Sequence, residues 1–141
     1  QYKLGKAQVL SDQTKGFNNT VVIAAAGSLA PYALKAQKEL AAQEIGSVVI
    51  NPSILNNVDV DTFKKYVNQC GGNLITLEDH RAIGGFGACL AQALANASVA
   101  VNMGSLGVDD HFGRSAYQAE QLYKTNGLDD KAVVAKALEL F

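Results

Sequence analysis

The sequence is short of cysteine, of net charge and of long apolar runs, and each shortage excludes something. Its two cysteines, Cys70 and Cys89, stand in no CxxC spacing. Neither a disulfide framework nor a zinc site is therefore expected, and reduced thiols are. The net charge is −1, with lysine and arginine scattered along the chain, so nucleic acid or an anionic membrane finds no basic footprint. No segment reaches the roughly 18 to 20 consecutive apolar residues that span a bilayer, and the N-terminus lacks a charged-then-apolar signal pattern. A cytoplasmic protein with no membrane partner is the expectation. Catalytic signatures are missing as well: there is no GxxxxGK(S/T) and no GxSxG, which argues against a P-loop and a nucleophile elbow.

What is present reads as one globular domain over residues 1–141, with 48% hydrophobic and 18% charged residues. The first residue is Gln1 rather than Met, and residues from Tyr2 onward already read as structure, so a piece of a longer polypeptide is expected. Short apolar runs recur at Thr20–Ala25, Ser47–Ile50, Asn73–Leu77 and Val99–Met103, each read as a strand. Helical spacing follows each of the first three. Leu29, Ala33, Ala36 and Leu40 form one stripe, Val60, Phe63, Val67 and Cys70 a second, and Phe86, Leu90, Ala93 and Leu94 a third.

A further helix is expected near Ala116–Lys124, ended by Gly127. A last one is capped by Asp129 and stapled by Leu128 and Val133, with Val134, Ala137, Leu138 and Phe141 continuing its apolar stripe. Asp59 and Ser28 are read as helix N-caps, and Leu4–Leu10 as an edge strand. Apolar strands alternating with helices predict an α/β three-layer sandwich, a mostly parallel five-stranded sheet with helices on both faces.

The densest group of ionisable side chains is Glu78, Asp79, His80 and Arg81, followed by Gly84, Gly85 and Gly87. It falls at the C-terminal end of a strand, where ligand sites collect in open α/β sheets. Two readings stand side by side. The glycines serve a tight turn and a close helix approach, or the helix start holds an anion. GGFG does not complete GxGxxG, because Leu90 stands where the third glycine would be. Consecutive acids on a strand point to opposite faces, so Glu78, Asp79 and His80, even with His111, are a poor metal set. Cys70 and Cys89 fall on apolar helical positions, as buried structural cysteines do.

Taken in order, the segments YKLGKAQVL, TVVIAAAGSLAPYALKAQKELAAQEIGSVVINPSILNNVDVDTF, LITLEDHRAIGGFGACLAQAL and GVDDHFGRSAYQAEQLYKTNGLDDKAVVAKAL resemble the C-terminal domain of transketolase. The EDHxxxGGxG block followed by the FGxS loop and the NGL turn carries most of the resemblance. Related domains occur in 1-deoxyxylulose-5-phosphate synthase and in 2-oxo acid dehydrogenase beta subunits. Phe112-Gly113-Arg114-Ser115 and His80 look closer to transketolases.

The resemblance implies a thiamine diphosphate enzyme of three α/β domains per chain, working as a homodimer and moving a two-carbon ketol unit between sugar phosphates of the pentose phosphate pathway. It implies that the cofactor and its Mg²⁺ are held by the other domains, that this domain binds neither, and that it supports architecture and dimer contacts without being catalytic alone. The Gly-Asp-Gly…Asn metal pattern of such enzymes is absent, since Asp109-Asp110 lacks it, and no catalytic residue of the family carries over. Within that resemblance Glu78, Asp79, His80 and Arg81 are expected to form a polar rim at the strand ends that meets a neighbouring domain or subunit. A self-standing ligand-binding or docking module at Asp79, His80, Arg81 and the GGFG helix start is the alternative from another class.

Overall fold

The computed structural model describes residues 3–81, 83–108, 121, 123–124 and 127–141. Five strands form one sheet in the order β1-β3-β2-β4-β5. They are β1 (Gln8–Gln13), β2 (Asn19–Ala25), β3 (Ile45–Asn51), β4 (Asn73–Arg81) and β5 (Asn102–Val108). All neighbours are parallel except β1, which runs antiparallel to β3 along the edge. Four helices are described: α1 (Ala30–Ala41), α2 (Val60–Gln69), α3 (Phe86–Asn96) and α4 (Asp130–Leu138).

The period-two alternation of strands sorts the core onto two faces. Val21, Ile23 and Ala25 of β2 pack with Leu29, Ala33, Ala36 and Leu40 of the α1 region and Val133 and Ala137 of α4. Val22 and Ala24 face Phe63 and Val67 of α2 and Phe86, Leu90 and Leu94 of α3. Central strands buried on both faces read as unbroken apolar runs for this reason.

Two strands lie later in the chain than their hydrophobicity suggests. The edge strand was expected over Leu4–Leu10, yet Leu4 is exposed and pairing begins at Gln8. The Ala7 amide donates to Asp59 Oδ2 at 3.0 Å, so that donor is not available to a ladder. The last strand was expected over Val99–Met103, but Val99 ends a helix instead. Its amide reaches back to the Leu94 carbonyl at 2.9 Å after Ser98 has turned left-handed at φ 59°, and its side chain drops into the core. This is the hydrophobic residue of a helix C-cap, and the strand starts three residues on, at Asn102.

Asp59 caps α2, accepting from the Thr62 amide, and Asp129 caps α4, accepting from the Ala132 amide at 3.0 Å. Ser28 does not cap α1. A 3-10 turn (Gly27–Leu29) precedes that helix without a side-chain cap, and the Ser28 hydroxyl lies 3.0 Å from Tyr123 Oη. Leu138 and Phe141 leave the expected stripe and are partly exposed. Cys70 is buried, whereas Cys89 is only half-buried. The expected Ala116–Lys124 helix lies mostly outside the described residues, as do His111 and the FGRS segment. Gly127 takes φ 67°, and the Leu128 amide reaches the Tyr123 carbonyl, which is the helix-stop geometry expected there.

Candidate functional site

The C-terminal ends of β2, β3 and β4 open on one side of the sheet. β4 runs longer than its apolar core, from Asn73 through Glu78, Asp79 and His80 to Arg81, with a register irregularity between Leu77 and Arg81. Alternation then separates the acidic neighbours: Glu78 turns under α3, and Asp79 and His80 reach the surface.

Glu78 does not belong to a polar rim. Its side chain is only 1% exposed, and Oε2 accepts the Gly87 amide at 3.0 Å in the first turn of α3. Burial pushes the Glu78 carboxyl above its ordinary value, against the opposing pull of the Gly87 and Phe86 amides. Oε1 and the neighbouring Thr76 hydroxyl have no hydrogen-bond partner among the described residues. A carboxylate from the strand thus sits where an external anion would have bound the helix start. The glycines have backbone reasons: Gly84 takes φ 75° in the exposed turn, and a Cβ on Gly87 would come within 2.5 Å of Thr76 Oγ1.

Asp79 and His80 sit 3.5 Å apart, Oδ1 to Nε2, with the imidazole largely in solvent. They border a cleft of about 470 Å³ whose other walls come from Ala26 to Ser28 after β2, Asn51 to Leu55 after β3, and Gln8. Asn51 Oδ1 accepts the Ser53 amide at 3.1 Å, which holds Ser53 at φ 64°. Local sequence patterns assigned Asn51 and Ser53 no site role and placed Gln8 only within the expected Leu4–Leu10 edge strand. Their meeting with Asp79 depends on strand order, which no local pattern carries. Arg81 ends β4 opposite Val108.

Among the described residues, no three His, Cys, Asp or Glu side chains converge as metal ligands. Burial also pushes the Cys70 thiol up, away from the thiolate that nucleophilic chemistry needs. No described helix is long and apolar enough to cross a membrane.

The family model of the transketolase C-terminal domain matches residues 5–133. A protein of Methanocaldococcus jannaschii named as a transketolase C-terminal section is 28% identical over 98% of this chain and 40% of its own length. The 1-deoxy-D-xylulose-5-phosphate synthase of Alteromonas mediterranea is 33% identical, over 98% of this chain and 21% of that protein. A solved split-gene transketolase, described as an inactive beta4 tetramer, superposes with a TM-score of 0.81 at 26% identity, over 99% of this chain and 42% of that one. This chain therefore spans less than half the length of each of these relatives. It belongs to the transketolase C-terminal domain family.

Proposed function

We propose that this chain is the C-terminal domain of a transketolase, supporting an enzyme that moves a two-carbon ketol unit between sugar phosphates while itself carrying no catalytic residue. The match to the family over residues 5–133 carries the reading. The chemistry of the strand ends agrees with it, since the buried carboxyl of Glu78 serves as a helix anchor rather than an acid-base group in an open site.

Thiamine diphosphate and Mg²⁺ belong to the parent enzyme in this reading. Two features of the described residues support that assignment. Glu78 fills the one strand-end helix start that the sequence offered to a phosphate, and no set of three metal-ligating side chains converges among the described residues. The other domains or a second subunit, in a cytoplasmic homodimer of the pentose phosphate pathway, are the proposed partners. Contiguous apolar surface left exposed marks such contacts. Ile83, 82% exposed beside Gly84, and the Leu138–Phe141 end are the proposed contacts.

A second reading, the same domain of a 1-deoxyxylulose-5-phosphate synthase, is favoured by the 33% identity to that enzyme of Alteromonas mediterranea. One experiment separates the two. The chain is assayed alone and together with the thiamine-binding portion of its parent enzyme, with xylulose 5-phosphate plus ribose 5-phosphate, and with pyruvate plus glyceraldehyde 3-phosphate. No turnover alone and ketol transfer in the assembled enzyme are expected. Turnover by the chain alone would overturn the first proposal, and activity only with pyruvate would replace it by the second.

A further inference from the structure

We propose that the cleft between the ends of β2 and β4 binds a small, uncharged polyhydroxylated molecule, a sugar or polyol. The inference stands independently of the proposed function, because it rests on topology and lining chemistry alone.

β2 and β4 are parallel neighbours, but their connections leave in opposite directions. The chain after β2 enters α1 on one face of the sheet, and the chain after β4 enters α3 on the other. Neighbouring parallel strands whose connections diverge leave a crevice outside their C-terminal ends, and ligands of open α/β sheets bind in such crevices. Here the crevice is the cleft of about 470 Å³, inside the range of about 300 to 1,000 Å³ typical of small-molecule sites.

The lining selects the ligand. Hydroxyl groups both donate and accept, and the side chains that match them are amides, hydroxyls and a carboxylate. Gln8, Asn51, Ser53 and Asp79 supply that set. Asn51 has committed Oδ1 to the Ser53 amide, which leaves its NH₂ to donate. Leu55 and Ala26 add apolar surface for the C–H face of a sugar ring. The described lining has no lysine or arginine, and with the neighbouring His80 neutral the Asp79 carboxylate repels a phosphate, so a charged ester is disfavoured where the parent polyol is accepted. Ser53 is held at φ 64°, a conformation that costs a non-glycine residue free energy and recurs at binding sites.

The test is an amide chemical-shift titration of the chain with ribose, xylose, glucose and glycerol, beside ribose 5-phosphate and inorganic phosphate. At least one uncharged compound should give saturable shifts at Gly27, Ser53 and Asp79, with a dissociation constant on the order of 1 mM. Asp79→Ala should weaken that binding about tenfold, with an unchanged urea midpoint. Asp61→Ala, which removes an equal charge from the exposed side of α2, should leave it as it was. Absence of saturable shifts with every uncharged compound would overturn the proposal. So would tighter binding of phosphate or ribose 5-phosphate, or wild-type binding by Asp79→Ala.

Discussion

Helices α2 and α3 share one face of the sheet, and each starts on a carboxylate that arrives by a different route. Asp59 immediately precedes α2 and is surrounded by donors: the Thr62 amide and hydroxyl, the Ala7 amide and Lys6 Nζ. Glu78 reaches α3 from the neighbouring strand, receives the Gly87 amide, and has no partner for its second oxygen among the described residues. The same task, satisfying the free amides of a helix start, leads to opposite electrostatics. Burial raises both carboxyls, but at Asp59 the donors outweigh it and hold the group below its ordinary value. At Glu78 burial prevails and the group lies above its own. A cap is stabilising in its charged form only where enough donors replace the water it has lost.

The largest expected effect is at Glu78. Glu78→Ala removes the α3 anchor and leaves a void under the helix, at a cost of about 3 kcal/mol by urea unfolding. A loss no greater than that of an ordinary surface substitution would show that the buried carboxyl does not hold α3. Asp59→Ala should cost less, about 2 kcal/mol, near the upper end for an N-cap, because Ala7 and Lys6 lose a partner as well.

The two sites should also respond to pH with opposite signs. Asp59 has a folded value below 3.8, so its contribution is present above pH 3.8 and is lost as pH falls through the folded value. Glu78 has a folded value above 4.5, so the folded state takes up its proton first. Its contribution is complete below pH 4.5 and declines as pH rises through the folded value. Urea midpoints across pH 2.5 to 8, at steps of roughly half a unit, check both slopes. Asp59→Asn should flatten the acid limb, and Glu78→Gln should flatten the decline above pH 4.5 while costing less than about 1 kcal/mol near neutrality. Equal slopes in Glu78→Gln and the parent chain would contradict the assignment. The smallest effect is at Lys6, whose ammonium is half in solvent. Lys6→Ala should cost less than about 0.5 kcal/mol and fade with added salt.

The contrast between the two caps also explains what was legible in the sequence. Asp59 and its helix could be read directly, because a cap and the amide it serves are three residues apart. Glu78 and Gly87 are nine residues apart and meet only because α3 folds back over the strand. Read locally, Glu78 therefore merged with Asp79, His80 and Arg81 into one polar cluster, although the pleat sends it inward. The run at Val99–Met103 misled in the same way. Of that run only Val99 is buried, and the turn at Ser98 assigned it to a helix stop rather than to the strand.

By itself the sequence determined the alternation of strands and helices, the two-faced burial of β2 and β3, the α2 and α4 caps and the family. All of these rest on residue spacings of a few positions or on motif order. Only the tertiary structure decided that β3 and β4 flank β2, that Glu78 is an anchor and Asp79 a cleft wall, and that Gln8, Asn51 and Asp79 border one space. The physical reason is that strand order and helix docking are set by long-range packing, and side chains far apart in sequence acquire their roles only when that packing brings them together.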